Sequence, residues 1–143
     1  PMLHYGTFDF SFSGLKTAVR NLWESLPEHP VFDDANPHPL LCDISASLQA
    51  AIVDVLIEKT VAAAKKYRVK GVAVVGGVSA NVSLRVRLAE RLKVEVPEVA
   101  YLPSDRQYVT DNAAMIAAAG YWRFLQDDFV DWKRVDVKPE WGL

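Results

Sequence analysis

The feature that most constrains this chain is a short apolar run that ends in two glycines. Val72 to Val75 are followed by Gly76 and Gly77 and then by the polar residues that lead to Asn81. β-Branched residues favour a strand, paired glycines permit a tight turn, and Ser or Asn favours the start of a helix. A backbone without Cβ atoms lets a ligand approach, and the first amides of a helix lack an intrahelical partner. The run therefore predicts a βα turn of the kind at which α/β proteins hold a nucleotide.

Hydrophobic spacing predicts the elements around this turn. Apolar residues recur every three or four positions before and after it, which is the period of an amphipathic helix, and a second short apolar run follows. The order β, α, β, α predicts an α/β fold that is rich in helix. The predicted elements are a helix from Leu41 to about Tyr67, a strand at Val72–Val75, a helix from about Asn81 to Leu92, a strand near Val99 to Leu102, and a helix from Thr110-Asp111-Asn112 to about Leu125.

The two ends of the chain carry weaker patterns. Phe8, Phe10 and Phe12 alternate with polar residues, which predicts a strand with one aromatic face. Gly14 should end this strand, and Ser13 should cap the following helix. Four prolines between positions 27 and 39 predict a loop. Trp132 and Trp141 are expected to anchor the C-terminal tail.

Composition limits the class of protein. With 143 residues, half of them apolar, residues 1–143 are expected to form a single unit. A net charge of −2 favours neither nucleic acid nor membrane as a partner. We expect that no apolar run approaches the roughly 20 residues that span a membrane. The single cysteine cannot form an internal disulfide. We expect a soluble, cytoplasmic chain, with Cys42 packed against its helix.

Two groups of residues are candidates for function, and each has a structural alternative. Gly76, Gly77 and Asn81 form either a ligand platform or an ordinary tight turn with an asparagine near a helix start, and the dinucleotide pattern G-x-G-x-x-G is absent. Asp111 is either a metal ligand or a first-turn carboxylate favoured by the helix dipole, with Thr110 as cap. Spacing alone leaves both choices open.

Three runs of sequence bear on that choice. The runs DFSFSGLKT from Asp9, GGVSAN from Gly76 with Leu84-Arg85 beyond it, and TDNAAMIAAAG from Thr110 resemble, in order and spacing, the C-terminal half of the TsaD family. The resemblance covers nearly the whole chain. It implies part of the C-terminal lobe of an actin-like ATPase fold, of the ASKHA or RNase H-like type. It also implies transfer of a threonylcarbamoyl group from threonylcarbamoyl-AMP to N6 of adenosine 37 in tRNA.

The resemblance also implies roles for particular residues. Asp111 would be a ligand to a divalent or ferric metal ion, with iron or zinc expected, because a carboxylate oxygen suits a hard cation. Gly76 and Gly77 would form the backbone platform for the nucleotide ligand, threonylcarbamoyl-AMP or ATP. Asn81 would contact that ligand, because its side chain both donates and accepts hydrogen bonds. No residue is assigned to proton transfer. The implied partners are tRNA and the proteins of the t6A modification complex, with no membrane.

The chain also departs from the family pattern. The family's H-x-x-x-H metal pair and its glycine-rich phosphate loop are missing, and the histidines at 4, 29 and 38 do not have that spacing. We therefore expect part of a longer protein that alone neither binds metal firmly nor transfers the group. Exposed strand edges are expected to favour self-association.

Two other functions remain open. One is a non-catalytic nucleotide-binding scaffold, an interaction module of the same modification complex. The other is the protease activity formerly assigned to the family. The protease interpretation is poorly supported, because neither a Ser-His-Asp nor a Cys-His set is suggested.

Overall fold

A parallel pair of strands joined through a helix lies at the centre of the chain. The computed structural model describes residues 6–136. Its helices and strands are α1 (Phe12–Glu24), α2 (Pro39–Tyr67), β1 (Gly71–Val74), α3 (Val82–Glu95), β2 (Ala100–Pro103) and α4 (Ala113–Phe124). Three short 3-10 turns cover Gly77–Ala80, Arg106–Tyr108 and Trp132–Arg134. The elements from α2 onward follow the predicted order, with ends that move by up to three residues.

The two strands pair in parallel, with Gly71 opposite Ala100 and Val74 opposite Pro103. Gly71 favours this close pairing, because a Cβ there would lie 3.3 Å from the carbonyl oxygen of Ala100, a tight contact. Both strands end at the same edge of the sheet, as parallel strands must. The turn that contains Gly76 and the segment that begins at Ser104 therefore leave the sheet side by side.

The core lies between α2 and α3. Helix α3 contributes Leu84, Leu88 and Leu92, which are spaced four residues apart and are at most 4 % exposed. They pack against buried residues of α2, namely Val53, Ile57, Val61 and Ala64. Truncating a leucine at such a site costs about 2–5 kcal/mol, because the cavity left behind does not collapse. This apolar contact holds α3, and with it the preceding turn, against the long helix.

Ion pairs run along the solvent side of the same contact. They join Asp54 to Arg87 at 2.5 Å, Glu58 to Arg91 at 2.9 Å and Lys65 to Glu95 at 2.5 Å. Exposed pairs of this kind contribute at most about 1 kcal/mol each. Their regular spacing matches one register of α2 against α3, so they add specificity to the apolar core.

The expectation that no apolar run approaches the length of a membrane span is wrong for α2. By length and composition, Pro39–Tyr67 is apolar enough to cross a membrane. One such helix is weak evidence for a membrane span, and 17 % of its most apolar window is buried inside the protein. Here the helix packs against α3 and carries the charged residues of the ion pairs just described.

The predicted aromatic strand near the N-terminus is wrong. Residues 8–11 form no strand, α1 already begins at Phe12, and Gly14 lies inside it. The backbone carbonyls of this segment are bound by a side chain instead of a strand, because the ammonium group of Lys59 donates to the carbonyl oxygens of Thr7 at 2.8 Å and Asp9 at 2.5 Å. Ser13 is also not the cap, since the N-cap position is Ser11.

Other packing predictions fail because large parts of the chain are exposed. Helix α4 has no buried residue, although most of its sequence is apolar. Cys42 is exposed rather than packed. Trp132 is 78 % exposed and anchors nothing, and Trp141 lies outside the described residues. These surfaces lack the partner that an apolar sequence normally has.

Candidate functional site

The turn after β1 has the conformation that its glycines permit. Gly76 has φ +82°, a backbone conformation that side chains with a Cβ rarely adopt. The amides of Ser79 and Asn81 are used within the turn, where they donate to the carbonyls of Gly76 and Val78 at 3.0 Å each. Within residues 6–136, the amides of Gly77 and Val78 have no acceptor. The predicted turn is therefore present, and two of its backbone donors are open.

Asn81 is the N-cap of α3. Its side-chain oxygen accepts a hydrogen bond from the Leu84 amide at 3.0 Å, and its amide donates to Oε1 of Gln49 on α2, also at 3.0 Å. Asn81 therefore has the structural role that was the alternative to ligand binding, namely that of a residue at the start of a helix. An asparagine amide has a second N–H, so capping leaves a donor for a ligand. The ligand contact itself stays a prediction.

A network of hydrogen bonds holds the two strand ends together. The buried hydroxyl of Ser79 lies 3.4 Å from that of Ser104, which donates to the carbonyl of Val74 at 2.8 Å. Arg85 donates through Nε to the carbonyl of Ser79 and through Nη2 to that of Ser104 at 2.7 Å. Sequence reasoning missed Ser104 as well as Gln49. The signal for Ser104 was its place two residues beyond the predicted strand, at the edge where the glycine turn also leaves the sheet.

An apolar groove borders the turn on one side. It has a volume of about 450 Å³, lies between α1 and α2, and reaches Val78 of the turn. Its other lining residues include Phe12, Leu15 and Ile52, with Lys16 at the margin. The turn therefore presents backbone donors next to an apolar wall, a combination that suits a ligand with polar and flat apolar parts.

Asp111 lies on the other segment that leaves this edge of the sheet. Asn112, and not Thr110, is the N-cap of α4, because its side-chain oxygen accepts from the Met115 amide at 3.0 Å. Asp111 therefore precedes the cap, and the first turn of α4 contains no acidic residue. The explanation of Asp111 as a first-turn carboxylate capped by Thr110 is wrong. Within the described part of the chain, its exposed carboxylate makes no hydrogen bond or ion pair.

A complete metal centre is not found within residues 6–136. No group of three or more His, Cys, Asp or Glu side chains comes together there. His38 accepts from the Leu40 amide as a helix cap, and His29 stacks on Trp23 with ring centroids 5.1 Å apart. His4 lies outside the described residues. Within these residues, Asp111 stands alone as a candidate ligand, and its role in metal binding stays a prediction.

Three ionisable groups on or beside α3 have shifted pKa values, namely Tyr101, Glu95 and Arg91, whose pKa is raised by its hydrogen bond to Glu95. Burial raises the pKa of Tyr101 on β2, while the positive charge of Arg85 opposes the rise. The Tyr101 hydroxyl is buried without a hydrogen-bond partner in the described part of the chain. Further along, hydrogen bonding to Lys65 lowers the pKa of Glu95, and Arg91 adds to the effect. Tyr101 borders the network behind the turn, whereas Glu95 belongs to the structural ion pairs.

By its fold and this arrangement, the chain is an α/β protein with a glycine turn and a capped helix at the carboxyl edge of a parallel sheet. Comparison with known proteins gives the particular family. The family model for TsaD, described as tRNA N6-adenosine threonylcarbamoyltransferase, matches residues 1–118. Since that is most of the sequence, the chain belongs to the TsaD family.

Curated relatives support the same assignment. A Listeria welshimeri protein is 46 % identical over 125 residues, which cover 87 % of this chain and 35 % of the relative. A Geobacillus kaustophilus protein is 46 % identical, covering 90 % and 36 %. A Thermodesulfovibrio yellowstonii protein is 47 % identical, covering 92 % and 37 %. All three are named tRNA N6-adenosine threonylcarbamoyltransferase, and the chain spans about a third of their length.

Proposed function

We propose that this chain, within a protein of its relatives' length, serves as part of a tRNA N6-adenosine threonylcarbamoyltransferase. The observation that carries the proposal is the family match over residues 1–118, which includes the glycine turn, Asn81 and Asp111. The names of the relatives agree with it. We place the chain in the C-terminal lobe of an actin-like fold, and the helix-rich βαβ arrangement is compatible with that placement.

The reaction assigned to the family is an acyl transfer. The N6 amine of adenosine 37 attacks the carbamoyl carbon of threonylcarbamoyl-AMP, a C–N bond forms, the C–O bond of the mixed anhydride breaks, and AMP leaves while the amine loses a proton. The task of a protein in such a step is to orient the two reactants. We propose that the open amides of Gly77 and Val78, together with the Asn81 side chain, hold the adenylate for this attack.

The metal implied by the family does not fit this chain alone. Asp111 is a suitable ligand for a divalent or ferric ion, such as iron or zinc, but one exposed carboxylate is not a metal site. We therefore derive no chemical step through a metal. In the longer protein, the remaining ligands would come from residues beyond this chain.

The remaining assignments follow from the proposed reaction. tRNA is the substrate, the other proteins of the t6A modification complex are the proposed partners, and the cytoplasm is the proposed location. None of these proposed roles requires a membrane, and one side of α2 packs into the apolar core.

The test is transfer of labelled threonylcarbamoyl to tRNA by the complete protein that carries this chain. We expect Asp111→Ala and Asn81→Asp to reduce the rate at least about tenfold, a loss of about 1.4 kcal/mol in transition-state stabilisation. Asn81→Asp keeps a capping oxygen for α3 but removes the amide donors, so it separates binding from capping. Matched controls are Asp34→Ala and Asn36→Asp in the exposed loop, which should leave the rate unchanged.

Two outcomes of this assay would contradict different parts of the proposal. A wild-type protein that binds an adenine nucleotide but transfers nothing would support the non-catalytic scaffold instead. An active wild type with unchanged rates in both site variants would leave the family function intact and overturn the site assignment.

A further inference from the structure

Arg85 occupies an unusual position in the network behind the turn. It is the fourth residue of α3, and helical side chains point back toward the N-terminus. Its guanidinium therefore reaches past the capping residue Asn81 and donates to the carbonyl of Ser79, which lies in the preceding turn. A second donor reaches the carbonyl of Ser104 at 2.7 Å. One half-buried side chain thus joins two separate segments of backbone.

These two segments carry the candidate site residues. Ser79 lies between Gly77 and Asn81, and it is only 1 % exposed. Ser104 follows β2 directly and opens the segment that reaches Asp111 seven residues later. The turn and this segment are connected along the chain only through the whole of α3 and β2. The side chain of Arg85 connects them directly, in addition to the contact of 3.4 Å between the Ser79 and Ser104 hydroxyls.

Arginine is well matched to this task. Its planar fork presents donors in fixed directions, so two carbonyls bound to it are held at a fixed separation. A lysine ammonium has the same charge but no such fork. Within residues 6–136, Arg85 has no carboxylate partner, in contrast to Arg87 and Arg91, which pair with acids on α2. Its described polar contacts are to backbone carbonyls, as a positioning role requires.

We propose that Arg85 is a positioning residue, which fixes the glycine turn relative to the segment that carries Asp111. This inference rests on the proposed function, because it concerns the same nucleotide site. Arg85 acts through the backbone of Ser79 and Ser104 and needs no contact with the substrate. Loss of the fork should let the two segments move apart, and a displacement of about 1 Å at a reacting site can cost about a hundredfold in rate.

The test compares Arg85→Lys with the wild type in the complete protein, and Arg87→Lys is the matched control. Arg87 lies on the same helix, but its side chain pairs with Asp54 on α2. The first readout is hydrogen exchange at peptide level over residues 76–81 and 104–111, and over the core of α2 and α3. The second is kcat and KM for transfer, together with the melting temperature.

We expect Arg85→Lys to exchange faster in both segments but not in the core, and to lower kcat by about ten- to a hundredfold at a nearly unchanged melting temperature. Arg87→Lys should change neither readout. Unchanged exchange in the two segments would overturn the inference. So would faster exchange with wild-type kinetics, or a rate that falls only with the folded fraction.

The two proposals can fail separately. If the wild-type protein transfers no threonylcarbamoyl group, the proposed function fails, and the exchange experiment still decides whether Arg85 fixes the two segments. If the wild type is active and Arg85→Lys matches it in both readouts, only the role of Arg85 fails.

Discussion

The side chains of Asn81 and Gln49 are joined by a hydrogen bond of 3.0 Å, which ties the first residue before α3 to the middle of α2. The oxygen of the same Asn81 amide group caps α3 by accepting from the Leu84 amide. Asn81, which the sequence predicts to contact a ligand, therefore also links α2 to α3. The side-chain oxygen stabilises α3, whereas the N–H groups are the proposed ligand donors. Substitutions that change one and keep the other can therefore separate stability from binding.

We predict that Asn81→Ala lowers the free energy of unfolding by about 1–2 kcal/mol, because α3 loses its cap. Asn81→Asp, which keeps a capping oxygen, should lose less than half of that. Gln49→Ala should cost about 0.5–1 kcal/mol, since the bond it removes is exposed. Urea denaturation of the three variants checks these values. Equal losses for Asn81→Ala and Asn81→Asp would show that the cap contributes little.

The ion pairs of Glu95 predict a dependence of stability on acid. Lys65 and Arg91 lower the pKa of Glu95 in the folded chain from its ordinary value of 4.5. Its contribution is therefore complete above about pH 4.5 and is lost as the pH falls through the lower folded-state pKa. Glu95→Gln should reduce the loss of stability in that acid range. Glu98→Gln, at an exposed position, is the control, and equal pH profiles for both variants would contradict the assignment.

The exposed apolar surface of α4 predicts self-association of the isolated chain. Ile116 is 66 % exposed, and Met115, Tyr121 and Trp122 are also exposed. Contiguous apolar surface of this kind favours association. Sedimentation velocity should detect oligomers of residues 1–143, and Ile116→Glu should shift them toward monomer. Val31→Glu, in the loop and 81 % exposed, should have no such effect. A monomeric wild type would contradict the prediction.

The isolated chain is predicted to bind metal weakly. Within residues 6–136, Asp111 has no neighbouring group of candidate ligands, and a lone carboxylate competes poorly with water for a cation. Calorimetric titration with iron(II) or zinc should give no micromolar binding, and the isolated chain should transfer no threonylcarbamoyl group. Micromolar binding that disappears in Asp111→Ala would show that the chain holds a metal centre by itself.

The central elements could be predicted from the sequence because their signals are local and strong. The apolar spacing from Leu41 to Tyr67 predicts α2, and the run Val72–Val75 followed by two glycines predicts β1 and its turn. The alternation of Phe8, Phe10 and Phe12 with polar residues wrongly predicts a strand, because the pattern spans only a few residues. The interaction that decides its conformation is with Lys59, about fifty positions away in sequence.

The site could be predicted only in part. Gly76 and Asn81 stand in a recognisable motif, whereas Arg85 binds backbone carbonyls that no spacing rule identifies, and Ser104 is marked only by its place beyond a strand. The start of α4 shows a related difficulty, since Thr110, Asp111 and Asn112 are all acceptable near a helix start. Only the bond from the Met115 amide to Asn112 distinguishes them.

Photolabelling with an azido-adenine nucleotide tests the central claim most directly, namely that residues 76–81 form a wall of the nucleotide site. The complete protein would be labelled, digested and mapped by mass spectrometry, with excess unlabelled ATP as competitor. We predict labelling in the peptide that contains Gly76 to Asn81, suppressed by the competitor and reduced in Asn81→Asp. Labelling that the competitor suppresses elsewhere, with none in this peptide, would contradict the claim.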